Sequence, residues 1–222
     1  MSSLAPAVGP SLPAVAVDAP RTAGEAIIWL SVLVPAFNQP AGIVRILRSL
    51  ASVRGRGDIE ILVSDDSTDD GAASRLAALC AAFDTAHYVR NKPALGAVPN
   101  WNALLDRARG RYCLLLHHDE EIEGTASMPA LIDALKVPDA PDAWILPCCV
   151  VDRPGALPRL HFPARLAAIA ACRFPAYLMR RNLIGPPSAL IVRREKYLHF
   201  DTRLHWLWMW RATTAHCGVP VR

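Results

Sequence analysis

Two apolar runs joined by one amphipathic segment constrain this chain more than any other feature. Residues 30–38 read Leu-Ser-Val-Leu-Val-Pro-Ala-Phe-Asn, and residues 59–68 read Ile-Glu-Ile-Leu-Val-Ser-Asp-Asp-Ser-Thr. Each run has strand length and strand composition and stops abruptly in polar residues. Between them, residues 41–53 carry Ile43, Ile46, Leu47 and Leu50 at helical spacing. Two buried strands with a crossover helix form a β-α-β unit, so the strands are parallel neighbours in one sheet. Ligands of such sheets collect beyond the carboxyl ends of the strands. Asp65 and Asp66 stand at one of those ends.

The chain has 222 residues, with 52% apolar and 20% charged side chains, the balance of a globular protein with one sizeable core. Net charge is +4 without a dense run of Lys or Arg, which argues against a nucleic-acid footprint. Six cysteines (Cys80, Cys113, Cys148, Cys149, Cys172 and Cys217) are scattered with no Cys-x-x-Cys pair. They read as buried free thiols in a reducing compartment rather than as zinc ligands. No apolar run reaches the about 18 residues of a membrane-spanning helix. Residues 1–25 lack the basic start and unbroken apolar core of a secretion signal and read as a disordered leader.

Further elements follow in alternation. Residues 72–82 are Ala/Leu-rich and helical in character, and residues 87–90 form a short strand ending in Asn91-Lys92-Pro93. Residues 96–109 place Val98, Trp101, Leu104, Leu105 and Ala108 on one helix face, with Gly110 as the expected stop. Residues 111–116 are a buried strand that ends in His117-His118-Asp119-Glu120-Glu121. A helix over 125–137, a strand over 143–151, a loop-rich stretch over 154–175 and a strand over 189–192 complete the reading. The expected fold class is α/β, a three-layer sandwich around a mostly parallel central sheet.

Three strand ends would share one edge of that sheet: Asn38, the pair Asp65-Asp66, and His118-Asp119-Glu120. A carboxylate at a strand end accepts hydrogen bonds from a pyrimidine ring N–H or from ribose hydroxyls. A second acidic strand end can hold a hard divalent cation that bridges to phosphate oxygens. The pattern therefore suits a nucleotide diphosphate with a metal. If residues 118–120 stay extended, His118 and Glu120 point one way and His117 and Asp119 the other, which makes His118 with Glu120 the first choice of ligands.

Val34-Pro35-Ala36-Phe37-Asn38, Val63-Ser64-Asp65-Asp66-Ser67-Thr68, Asn100-x-Asn102-Ala103-Leu104 with Ala108-x-Gly110, and the strand ending in His117-His118-Asp119-Glu120 occur in that order. Together they resemble the family 2 glycosyltransferases of the GT-A fold, from about residue 29 to about residue 122, with a weaker match at Gly185-Pro186-Pro187-Ser188-Ala189 and Phe200-Asp201. The resemblance implies inverting transfer of a sugar from a UDP- or dTDP-sugar donor to a glycan or lipid-linked acceptor hydroxyl. It divides residues 26–222 into a donor-binding half, about 29–123, and an acceptor half, about 124–222, that reads as incomplete. Pro35, Ala36, Phe37 and Asn38 would lie against the nucleobase, Asp65 and Asp66 would bind base or ribose, and Asn91 and Asn100 would face the donor. His118, Asp119 and Glu120 occupy the place of the family's Asp-x-Asp metal motif and would hold Mn²⁺ or Mg²⁺, the His favouring softer transition metals. Rhamnosyltransferase-like members carry similar His-Asp endings.

The family's general base lies in a late acidic segment, where this chain reads Leu204-His205-Trp206-Leu207-Trp208-Met209-Trp210-Arg211. Asp201 and His205 are the nearby substitutes. That departure supports a second reading, a nucleotide-sugar-binding module without turnover. A third, a metal hydrolase using His117, His118, Asp119 and Glu120, lacks a His-Glu-x-x-His spacing. Asp66 could instead cap the following helix. His117 and Trp101 are expected in the core, and Glu121 and Glu123 in a solvated turn. Trp206, Trp208 and Trp210 alternate as one aromatic face for an acceptor or for packing. Arg180-Arg181 and Arg193-Arg194 would steer the diphosphate or meet a membrane surface, unless they are simply solvated. The expected location is cytoplasmic, with peripheral contact to the inner face of the cell membrane and no nucleic-acid partner.

Overall fold

The computed structural model describes residues 26–124, 126–151, 157–174 and 181–203. His205, Trp206, Trp208, Trp210 and Arg180 lie outside the described residues. The amino-terminal unit is as the apolar runs require. β1 (Leu30–Ala36), α1 (Pro40–Ser49) and β2 (Ile59–Asp65) form a right-ordered β-α-β pair, with β1 and β2 parallel and Leu30 opposite Ile59. α2 (Asp70–Ala81), β3 (Ala86–Arg90), α3 (Ala97–Arg107) and β4 (Tyr112–Leu115) continue the alternation.

The main sheet runs β3-β2-β1-β4, all parallel, and continues through β8 (Leu190–Arg193) to β5 (Ala143–Ile145). β8 is antiparallel to both of its neighbours. The order reverses between β1 and β4, because β2 and β3 extend to one side of β1 and β4 lies on the other. That reversal opens a crevice at the carboxyl ends of the strands.

Period-two alternation sorts the buried side chains onto two faces. Val32, Val34, Ile61, Val63 and Leu114 meet Ile43, Ile46, Leu76, Met128 and Ile132 from α1, α2 and α4 (Ser127–Leu135). Leu33, Leu62, Cys113 and Leu115 meet Trp101, Leu104 and Leu105 of α3 on the other face. Three layers result, as expected for the α/β class.

Local differences have identifiable causes. α3 ends at Arg107 with Ala108 as its cap, and Gly110 is no helix stop. The Gly110 N–H donates to Ser31 Oγ at 2.8 Å, which ties the start of β4 to β1. The strand expected over 143–151 is broken after Ile145. Cys149–Val150 (β6) pairs instead with Arg159–Leu160 (β7) in a separate small sheet. The loop-rich stretch contains a helix, α5 (Ala164–Arg173), whose alanine-dominated inner face hid the usual apolar periodicity. Cys80 and Cys113 are buried as expected, whereas Cys149 and Cys172 are exposed. Among the described residues, no helix is long and apolar enough to cross a membrane.

Candidate functional site

The ends of β1, β2 and β4 meet at the carboxyl edge. The chain leaves β1 through Phe37, which is 52% exposed although large and apolar. Asn38 follows with φ +51, a left-handed conformation that Asn tolerates better than most residues. Its backbone N–H donates to Ser67 Oγ at 2.8 Å and its Nδ2 to Thr68 Oγ1 at 3.1 Å. The β1 and β2 exits are thereby clamped together. Pro35 and Ala36 are buried beneath this turn.

The two aspartates at the β2 end have different duties. Asp65 has no exposed surface. Its Oδ1 accepts from the Ser67 N–H at 2.8 Å and from the Ser67 hydroxyl, and its Oδ2 accepts from the Tyr88 hydroxyl at 2.6 Å. Burial, then that hydrogen bond, holds the Tyr88 phenol above its ordinary range, so it remains a donor. Asp65 therefore braces the turn from inside, and the expected contact with base or ribose is corrected for this residue.

Asp66 is also buried, at 4% exposure, but its carboxylate is held toward the start of α3 rather than inside the turn. Its N–H donates to the Ala36 carbonyl at 3.0 Å, which sets it beside Phe37. Its Oδ1 accepts from Asn91 Nδ2 at 2.7 Å, and its Oδ2 accepts from the Gly96 N–H at 2.7 Å. Each carboxylate oxygen keeps a second lone pair. Gly96 has φ +88, a conformation open to glycine, and it precedes α3. Asp66 is not a helix cap: Asp69 fills that role for α2, accepting from the Ala72 N–H. Asn91 and Asn100 are engaged with protein groups around Asp66. Asn91 Nδ2 also reaches Asn100 Oδ1 at 3.1 Å, and Asn100 Nδ2 donates to the Ser64 carbonyl at 3.0 Å. Both are buried and fix Asp66 from below.

The β4 end turns rather than staying extended. The Glu120 N–H donates to the His117 carbonyl at 3.0 Å, and Glu120 Oε2 accepts from the His117 N–H at 2.8 Å. That closed turn replaces the alternation on which the His118–Glu120 pair was chosen. Glu120 is further tied to the Ser188 hydroxyl. Burial pushes its carboxyl up to about 7, against those two donors and with the Asp119 charge adding to the rise. Asp119 sits exposed on the turn and His118 is half-buried.

His117 is structural, as expected. Its ring meets Trp101 edge-on with centroids 4.8 Å apart, and burial pushes its pKa down to about 4. Glu121 and Glu123 are exposed. α1 supports the turn closely. A Cβ on Gly42 would lie 2.3 Å from the His118 carbonyl oxygen, and Arg45 Nη2 donates to that oxygen at 3.2 Å.

Among the described residues, no three His, Cys, Asp or Glu side chains converge on a metal position. The hydrolase reading loses its ligand cluster. A cation shared with a ligand's phosphates needs only one or two protein carboxylates, and Asp119 with His118 suits that arrangement. Asp201 is engaged by Arg203, which donates from its backbone N–H, from Nε and from Nη2 at 2.8–3.0 Å. Sequence reasoning missed Ser188, Gly42 and Arg45. Only Ser188 carried a signal, in the Gly185-Pro186-Pro187-Ser188 motif.

Several known proteins are similar. The uncharacterized protein MT1568 of Mycobacterium tuberculosis is 36% identical over 93 residues, 42% of this chain and 28% of that protein. Residues 1–349 of S. aureus TarS, in complex with UDP-GlcNAc, superpose with a TM-score of 0.63 at 16% identity, over 86% of this chain and 54% of that one. The mannosyltransferase PcManGT from Pyrobaculum calidifontis, in complex with GDP-Man and Mn2+, gives 0.57 at 18% identity, over 86% and 51%. At these identities the two structures establish a shared fold. The chain spans about a quarter of the curated relative and just over half of each solved chain. The profile described as glycosyl transferase family 2 matches residues 31–198, about three-quarters of the sequence, and the chain belongs to that family.

Proposed function

We propose that the chain is the donor-binding part of an inverting glycosyltransferase that moves a sugar from a UDP- or dTDP-sugar to a hydroxyl of a glycan or lipid-linked acceptor. One observation carries the reading. Asp66 is held between Asn91 and the Gly96 N–H at the end of β2, beside the exposed ring of Phe37 at the end of β1. An aromatic face next to a fixed acceptor suits a nucleobase, which stacks on one and donates to the other. The solved relatives with UDP-GlcNAc and with GDP-Man support the same ligand class.

In this reading the base stacks on Phe37, with Asn38 shaping the turn beneath it. Asp66 accepts from the base or ribose on the lone pairs that Asn91 and Gly96 leave. Asp119 and His118 would hold Mn²⁺ or Mg²⁺, and the cation would supply positive charge to the leaving diphosphate. Glu120 holds the turn that presents both ligands. The site is cytoplasmic, where nucleotide sugars are found.

The test is release of nucleotide diphosphate from a panel of UDP- and dTDP-sugars with Mn²⁺. Release from one donor that falls at least tenfold in Asp119→Asn supports the reading. Equal release from every donor, or none with any, contradicts it. A binding module without turnover is favoured by the engagement of Asp201 with Arg203, since a general base at this position would have to work from within that ion pair. Donor binding without release would select that second reading.

A further inference from the structure

α5 buries its small side chains and exposes its large ones. Ala167, Ala168 and Ala171 face inward, and Ala171 packs with Ile184, Leu190 and Val192. Leu166 and Ile169 face outward at 52% exposure each, and Phe174, directly after the helix, is 66% exposed. A helix at the surface of a globular protein normally turns its branched apolar residues to the core. The chain leading into α5 adds Leu157 at 91% and Leu160 at 52% exposure. Arg165 and Arg173 are exposed at either end of the outer face, at spacings that keep them on the same side as Leu166 and Ile169.

Along the sequence, the charge pattern on either side of α5 is one-sided. Between Asp152 and Glu195 the sequence contains eight arginines and no acidic residue. The remainder of the chain has sixteen basic and twenty acidic residues, so the modest net charge of +4 conceals a cationic segment on an acidic body.

We propose that the outer face of α5 docks on an anionic phospholipid surface, with Leu166, Ile169 and Phe174 entering the headgroup–acyl boundary and Arg165 and Arg173 pairing with lipid phosphates. Charge complementarity selects this occupant. A second copy meeting the same face across a two-fold axis would set arginines against arginines, whereas an anionic bilayer neutralises each of them. Arginine stems also lie well along apolar surface while their heads stay at the phosphates. The inference is independent of the donor-site reading, and its test reads lipid binding rather than turnover.

The test is co-sedimentation of the whole chain with vesicles of phosphatidylcholine alone and of phosphatidylcholine mixed with phosphatidylglycerol. The chain pellets with the anionic vesicles only, and added salt weakens the binding. Leu166→Asn with Ile169→Asn lowers the partition coefficient by about tenfold or more. Arg165→Glu with Arg173→Glu lowers it by about thirtyfold or more. All four side chains are exposed, so circular dichroism should be unchanged in both variants. Absence of binding to anionic vesicles overturns the proposal. So does binding that survives both variant pairs, or a concentration-dependent dimer abolished by Leu166→Asn with Ile169→Asn.

Discussion

Phe37 offers an apolar ring to solvent directly after β1, whose own residues are all buried, and nothing in the packing requires it there. Phe37→Ala should therefore leave thermal stability within about 0.5 kcal/mol of the parent, as substitutions at exposed positions do. The same change should weaken UDP binding by about 1–3 kcal/mol, the usual worth of an aromatic–base stack. Calorimetry and a denaturation curve on one preparation check both halves. A loss of stability with unchanged nucleotide affinity would make the ring a packing element. His117 and Glu120, three residues apart, bias stability in opposite directions. Glu120 titrates at about 7 in the fold against an ordinary 4.5, so its contribution is complete below 4.5 and is lost as pH rises through about 7. His117 titrates at about 4 against 6.5, so its contribution is complete above 6.5 and is lost as pH falls through about 4. Each is worth about 3 kcal/mol on this scale, and together they flatten the profile between those limits. In metal-free buffer, Glu120→Gln should gain stability from acid to neutral pH more steeply than the parent. His117→Gln should lose it over the same range. Urea unfolding across pH 4 to 7 reads the slopes, and parallel curves for all three proteins would remove the coupling.

At the scale of elements, the turn after β4 is shaped by α1 as much as by its own residues. The Gly42 position has no room for a methyl group, since the obstacle is the His118 backbone carbonyl rather than a flexible side chain. Gly42→Ala should cost about 1–3 kcal/mol by overpacking. If Mn²⁺ raises nucleotide affinity as proposed, the same change should remove that increase, because the turn bearing His118 and Asp119 must shift. A thermal melt and paired titrations with and without Mn²⁺ test this, and an unperturbed metal effect would detach α1 from the site. The elements also show which features were legible beforehand. Buried parallel strands read as unbroken apolar runs, so β1, β2 and β4 and their polar ends were plain. How the two adjacent aspartates divide their partners was not, because both are buried and the division depends on where the strand stops and the turn begins. The fold decides it through Ser67 and Tyr88 for Asp65 and through Asn91 and Gly96 for Asp66. The turn at residues 117–120 was hidden for a similar reason: its closure rests on a side chain returning to the backbone three residues earlier. α5 escaped notice because alanines carry too little hydrophobic contrast to mark an inner face.

On the scale of the whole molecule, the account rests on one edge of a mostly parallel sheet. The reversal of strand order between β1 and β4 brings together three polar strand ends that are far apart in sequence. The antiparallel β8 extends the sheet and carries Ser188 to Glu120 just before it begins. The half of the chain that supplies acceptor groups in the proposed reaction is the half whose sequence pattern was weakest, and Asp201 there is occupied by Arg203. The donor side can be tested without it. The most direct measurement is a calorimetric titration of the chain with UDP and with dTDP, with and without Mn²⁺, beside Asp66→Ala and Phe37→Ala. The account predicts metal-enhanced binding of one nucleotide that weakens by about fivefold or more in each variant. Binding that is equally tight in the parent and both variants would contradict it, since the nucleotide would then lie away from the β1 and β2 ends.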